Sequence, residues 1–99
     1  MIMLTGKQKR FLRSQAHHLD PIFQVGKGGV SENMIKQIRD ALEARELIKV
    51  SVLQNANEDK KTIAEQIVKG TGAELVQIIG NIIVLYKESR EKKKIELPE

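Results

Sequence analysis

Lys27 stands between Gly26 and the pair Gly28-Gly29, directly after the apolar run Ile22-Phe23-Gln24-Val25 and directly before Val30 and Ser31. Glycine reaches positive φ and lets another group come close to the backbone, because no Cβ is in the way. A helix beginning at Ser31 would aim its unpaired amides and positive dipole end into the same space. Lys27 adds a mobile cation, so the chemistry on offer is the holding of a phosphate. A plain strand-to-helix turn uses the same residue types. The stretch lacks the lysine and hydroxyl that a GxxxxGK[ST] phosphate loop places at the opening of its helix, and Ser31 stands where a dinucleotide fingerprint has its last Gly or Ala. Nucleotide hydrolysis and dinucleotide binding are therefore disfavoured.

No catalytic constellation can be assembled elsewhere. His17 and His18 are neighbours at a helix end and point about 100° apart, a poor geometry for two ligands on one metal. There is no cysteine, which removes thiolate sites and disulfides alike. Ser14, Ser31, Ser51 and Ser89 have no evident base and orienting partner. The expectation is a protein that is not an enzyme and takes no metal and no cofactor.

Charge separates the chain into two parts. The formal net charge is +4, and residues 1–27 hold Lys7, Lys9, Arg10, Arg13 and Lys27 against Asp20 alone. The remaining residues are balanced. All of the excess thus lies between the first helix and the glycine loop, as an electrostatic footprint for a polyanion would.

These residues need elements to position them. Thr5 is a good N-cap, and Phe11, Leu12, Gln15, Ala16 and Leu19 share one side of a helix ending near His18. Lys7, Arg10, Arg13 and His17 share the other, where they repel one another unless an anion compensates; a solvated lysine-rich helix has the same pattern. Pro21 closes this helix. Residues 22–25 form a short strand, and Ser31 caps a second helix whose apolar side is Met34, Ile35, Ile38, Ala41 and Leu42, with Glu32–Lys36, Lys36–Asp40 and Arg39–Glu43 as helical charge pairs. In the strand 47–52, Ile48, Val50 and Val52 face the core, while Leu47, Lys49 and Ser51 face outward, making Lys49 a further candidate contact. Asn57 or Asp59 caps a third helix built on Ile63, Ala64, Ile67 and Val68, and Gly70 and Gly72 end it. Strands 75–79 and 82–86 flank Gly80-Asn81, a two-residue connection suited to a type II′ hairpin turn. The order α-β-α-β-α-β-β predicts an α/β (α+β) domain: a four-stranded mixed sheet whose helices cover its apolar face.

A chain of 99 residues supports one such domain, read here as residues 1–88 followed by a charged tail at 89–99. Lys92, Lys93 and Lys94 are balanced by nearby glutamates and read as solvated, and Ile95 and Leu97 point to docking of the tail's end. No apolar run approaches membrane-spanning length, and the opening residues lack the order of a signal peptide. A soluble, cytoplasmic monomer with no membrane partner is expected.

Gly26-Lys27-Gly28-Gly29 is also a GxxG element between a strand and a helix, the device by which KH-type modules clamp the backbone of single-stranded nucleic acid. With only Phe11, Phe23 and Tyr86 as aromatics, a base-stacking platform is not supported. Taken together, Leu4-Thr5-Gly6-Lys7-Gln8-Lys9-Arg10-Phe11-Leu12-Arg13, Ala16-His17-His18-Leu19-Asp20-Pro21, Val25 through Ser31, Ala41-Leu42 through Val50, and Ile78-Ile79-Gly80 through Tyr86 resemble the CRM domain, in its stand-alone bacterial YhbY-type RNA-binding form. The resemblance implies a KH-like αβαβαββ fold and association with the rRNA of precursor large ribosomal subunits, in aid of ribosome assembly. By position it carries RNA contact to Gly26, Lys27, Gly28 and Gly29 and to Lys7, Arg10 and Arg13. Lys9, His17 and Lys49 are added from the charge reading. Two other readings use the same residues: a protein-interaction module for an acidic partner, and a binder of a nucleotide or small phosphate ligand.

Overall fold

Each helix begins where a side chain can satisfy its first free amides, and the computed structural model, which describes residues 4–99, shows all three caps. The Gln8 amide donates to Thr5 Oγ1 (3.1 Å) and the Thr5 amide to Gln8 Oε1 (3.0 Å), a reciprocal capping box that opens α1 (Gly6–Ala16). Ser31 Oγ accepts from the Met34 amide at the start of α2 (Glu32–Arg45). Asp59, rather than Asn57, caps α3 (Lys60–Thr71) by accepting from the Thr62 amide at 2.7 Å. The strands are β1 (Phe23–Val25), β2 (Leu47–Val52), β3 (Glu74–Ile79) and β4 (Ile82–Tyr86), in the expected chain order. Residues 1–3 of the expected domain lie outside the described residues.

The sheet runs β1-β2-β4-β3, with β1 parallel to β2 and the other pairs antiparallel. It is therefore mixed, and β3 and β4 form the expected hairpin. Gly80 takes a φ of +58° while Asn81 does not enter the positive region, as a type II′ turn requires.

Helices cover both sides of this sheet. Ile38, Leu42, Ile63 and Ile67 from α2 and α3 pack with Val25, Ile48, Val50, Ile83 and Leu85 on one face. Leu12 and Ala16 from α1 pack with Leu47, Val76, Val84 and Tyr86 on the other. The face of β2 read as outward is thus largely interior: Leu47 is 5% exposed and Ser51 8%, because α1 folds back across it. Only Lys49 on that side of β2 stays partly open. Leu19 falls beyond the end of α1 and is 38% exposed, so the apolar side of the helix is shorter than its periodicity suggests.

Two helix-end expectations change. Gly72, with φ +78°, ends α3, but Gly70 lies within it. A Cβ on Gly70 would sit 2.8 Å from Ile35 Cδ1, so this glycine lets α3 lie close against Ile35 of α2. Arg39 and Glu43 turn to other partners than each other: the Arg39 guanidinium donates to the Gly70 carbonyl (3.0 Å), and the Glu43 carboxylate receives the tail.

That tail is held by its backbone. Glu46 ends α2 at a positive φ (+67°, with ψ −41°), outside the left-handed helical well, a strained backbone that costs about 1–3 kcal/mol. Its fully buried carboxylate accepts from the amides of Ser89 (2.8 Å), Lys94 (2.6 Å) and Ile95 (2.8 Å). Glu43 accepts from the Ser89 hydroxyl and the amides of Arg90 and Glu91. Ile95 and Leu97 then pack on the α1 side, and Gln8 Nε2 donates to the Pro98 carbonyl. Lys92, Lys93 and Lys94 face solvent as expected, but the chain beneath them is docked.

Candidate nucleic-acid interface

The parallel pairing of β1 with β2 decides where the glycine loop lies. Val25 is in register with Val52, the Leu53 amide donates to the Val25 carbonyl (2.8 Å), and the Val52 amide donates to the Asn81 carbonyl (2.7 Å). The loop after β1, the loop after β2 and the Gly80-Asn81 turn therefore share one pole of the sheet. Lys60, at the start of α3, donates through Nζ to the Gly80 carbonyl and ties that helix to the same pole.

Within the loop, the Gly29 amide donates to the Gly26 carbonyl at 3.0 Å, closing a tight turn with Lys27 and Gly28 at its exposed tip. Of the three glycines only Gly29 has a positive φ, +71°. Gly28 has an ordinary φ and open space where a Cβ would be, so the fold leaves its surface clear without requiring a glycine there. Asn57 Nδ2 donates to the Lys27 carbonyl (3.1 Å) and braces the turn from the loop after β2. That brace has no counterpart in local spacing, since thirty positions separate the partners. The rim is of mixed charge. Glu58, whose carboxylate is held by Gln66 Nε2, would lie 3.7 Å from a Cβ at Gly29, and Glu32 is exposed in the first turn of α2. An anion is best placed at Lys27 and Gly28, on the side away from Glu58.

On α1, Lys7, Arg10 and Arg13 are exposed, as is His17 at the C-cap, while Lys9 is half-buried. Lys49 lies on the sheet face that α1 covers, opposite Val84 in register, and its carbonyl accepts from the Ile22 amide in the segment linking α1 to β1. Lys49 and α1 thus form one cationic side of the molecule, and Lys27 with its glycines forms the tip of one pole. The His17 and His18 rings meet edge-on, their centroids 5.3 Å apart. No group of three potential metal ligands occurs among the described residues.

None of the aromatic rings stands free. Phe11 and Phe23 are half-buried against the two cores, and Tyr86 is 3% exposed. Burial, with the charges of Glu46 and Glu88, pushes the Tyr86 hydroxyl pKa up to about 12, so it stays neutral. Among the described residues no helix is long and apolar enough to cross a membrane.

The chain is similar over most of its length to proteins from distant microbes. A Bacillus subtilis protein named "Probable RNA-binding protein YqeI" is 77% identical over 97% of this chain and all of its own length. A Haemophilus influenzae RNA-binding protein is 46% identical over 99% of this chain and 98% of its own. The solution structure of a Staphylococcus aureus protein, 68% identical, superposes with a TM-score of 0.80 over 97% of this chain and all of that one. The CRS1 / YhbY (CRM) domain model matches residues 4–87, which take in α1, the glycine loop and the whole sheet. The chain belongs to the CRS1/YhbY (CRM) domain family.

Proposed function

We propose that this chain is a non-enzymatic RNA-binding module that grips the backbone of single-stranded RNA. The observation that carries this reading is the turn Gly26–Gly29, which presents an exposed lysine beside an unobstructed glycine at the end of a parallel strand. Lys27 supplies the charge, the loop amides supply donors, and Lys7, Arg10 and Arg13 supply a second, more diffuse attraction. Lys9, His17 and Lys49 contribute more weakly. The names of the relatives support RNA as the polyanion, and the packing of all three aromatics against the cores favours backbone contact over stacking. Resemblance to stand-alone family members extends the reading to rRNA of the precursor large ribosomal subunit, bound in the cytoplasm by a monomer that assists assembly.

A salt titration tests the grip. Neutralising about four phosphates on a single strand gives a slope of log K against log salt near −3. Affinity that does not change with salt would overturn the reading. Crosslinking in cells, followed by sequencing of the bound RNA, tests the ribosomal assignment: reads concentrated in large-subunit precursor rRNA support it, and reads spread over messenger RNA remove it.

A further inference from the structure

The α1 side of the sheet is only partly covered. Strand register places Gln24, Ser51, Ile82 and Ile79 in one row across all four strands, on the same face as Leu47, Val84 and Tyr86. Leu12 and Ala16 pack over the end of that face formed by Leu47, Val76 and Tyr86. The row nearest the glycine pole is open at its two edges, while between them Ser51 is buried and Ile82, half-buried, packs on the second core. Ile79 is 57% exposed, the most of any large apolar residue described, and Gln24 is exposed beside the low side chain of Ser51. One row further from the pole comes Lys49, with Ile22 beside it on the strand connector, 40% exposed. Exposed apolar side chains, Ile22 on the β1 edge and Ile79 on the β3 edge, together with the Gln24 amide, therefore flank this face between the cations of α1 and Lys49 and the Gly26–Gly29 tip.

We infer that this face receives the bases of the RNA strand whose phosphates the glycine loop holds, with Ile79 and Ile22 as the apolar contacts at its opposite edges and Gln24 as a polar reader of base edges. The inference rests on the RNA reading above. Charge complementarity selects the occupant, because the excess positive charge of the chain lies in residues 1–27, which supply α1, the connector, β1 and the loop tip. A strand crossing from α1 to the loop would pass over the row. Its sugar-phosphate would face cations at both ends, and its bases would turn toward aliphatic side chains that water otherwise covers. The contact is aliphatic, so it favours bases over bare backbone without demanding a particular sequence.

The test compares two fluorescein-labelled probes by anisotropy, a single-stranded uridylate dodecamer and the same ribose-phosphate chain without bases. The full-length protein should bind the base-bearing strand more tightly. Ile79→Ser and Ile22→Ser, both at exposed positions, should each weaken that binding about fivefold and barely change binding to the abasic strand. Neither should alter the salt slope, whereas Lys27→Glu should lower it. Circular dichroism confirms that the variants fold. If both serine variants bind the two probes as the parent does, the row is not the base site and the phosphate grip stands alone. If the parent binds neither probe, both readings fall. A dimer seen by sedimentation velocity and dissolved by Ile79→Ser would assign the row to a second copy of the chain and overturn the inference.

Discussion

Two adjacent glycines in the loop do different work. Gly29 sits at φ +71°, where any other residue is strained, so Gly29→Ala should lower stability by about 1–2 kcal/mol in a urea melt. Gly28 has an ordinary φ and open space around it, so Gly28→Asp should leave the melt unchanged while weakening RNA binding about tenfold, by placing a carboxylate where a phosphate belongs. Unchanged affinity would remove the loop tip from the interface. Gly70 presents a third case. Its missing Cβ makes room for Ile35, and Gly70→Ala should destabilise by about 1–3 kcal/mol through overpacking, less the roughly 1 kcal/mol that alanine gains in a helix. Adding Ile35→Val should recover part of the loss, and no recovery would place the strain elsewhere. The sequence marks all three as glycines; only the structure separates a turn former, a bare surface and a helix crossing.

Elements were legible wherever the signal is local. Caps at Thr5 and Ser31, the alternation in β2, the Gly80-Asn81 turn and the order of helices and strands all follow from residues within a few positions of each other. What periodicity could not show is which side of the sheet a helix takes. The apolar stripe of α1 fits either face, and the outward reading of Leu47 and Ser51 fails because α1 takes the second one. The tail was hidden for a similar reason: Glu43 reads as the partner of Arg39, Glu46 carries no local signal, and their partners are backbone amides more than forty positions away. For Glu46, burial alone would raise the pKa, but the amides of Ser89, Lys94 and Ile95 outweigh it and the value is lowered from 4.5. The amide of Arg90 and the Ser89 hydroxyl lower that of Glu43. With both folded values below the unfolded one, the clasp contributes in full above about pH 4.5 and is lost as pH falls through the lowered values. Hydrogen exchange at Ser89, Lys94 and Ile95 should therefore stay slow near neutrality and, relative to core amides, accelerate under acid. Glu46→Gln should accelerate it at neutral pH too, and protection that persists in that variant would mean the tail is held by Ile95 and Leu97 alone.

At the scale of the whole molecule, the candidate site is assembled from parts that are each legible alone and whose placement is not. The glycine loop, the basic helix and Lys49 could be picked out one by one. Their division between a pole and a flank follows from the parallel β1–β2 pairing and from α1 crossing the second face. The same division predicts that Lys7→Glu, Arg10→Glu and Arg13→Glu combined should weaken RNA binding more at low salt than at high, as Debye screening removes diffuse attraction first. A loss equal at both salts would mean that these residues act through something other than charge. The far pole has its own consequence. Leu4 and Leu97 line the same shallow groove with Tyr86, and Gln8 holds Pro98, so both ends of the described chain emerge together, about a strand's length, roughly 20 Å, from the glycine loop. Any polypeptide joined at either end departs from the pole opposite the glycine loop. Units of this design can therefore be strung in series like beads, each keeping its glycine loop clear, and an affinity handle at the C-terminal end should leave binding untouched where one inserted at Gly80-Asn81 would obstruct it.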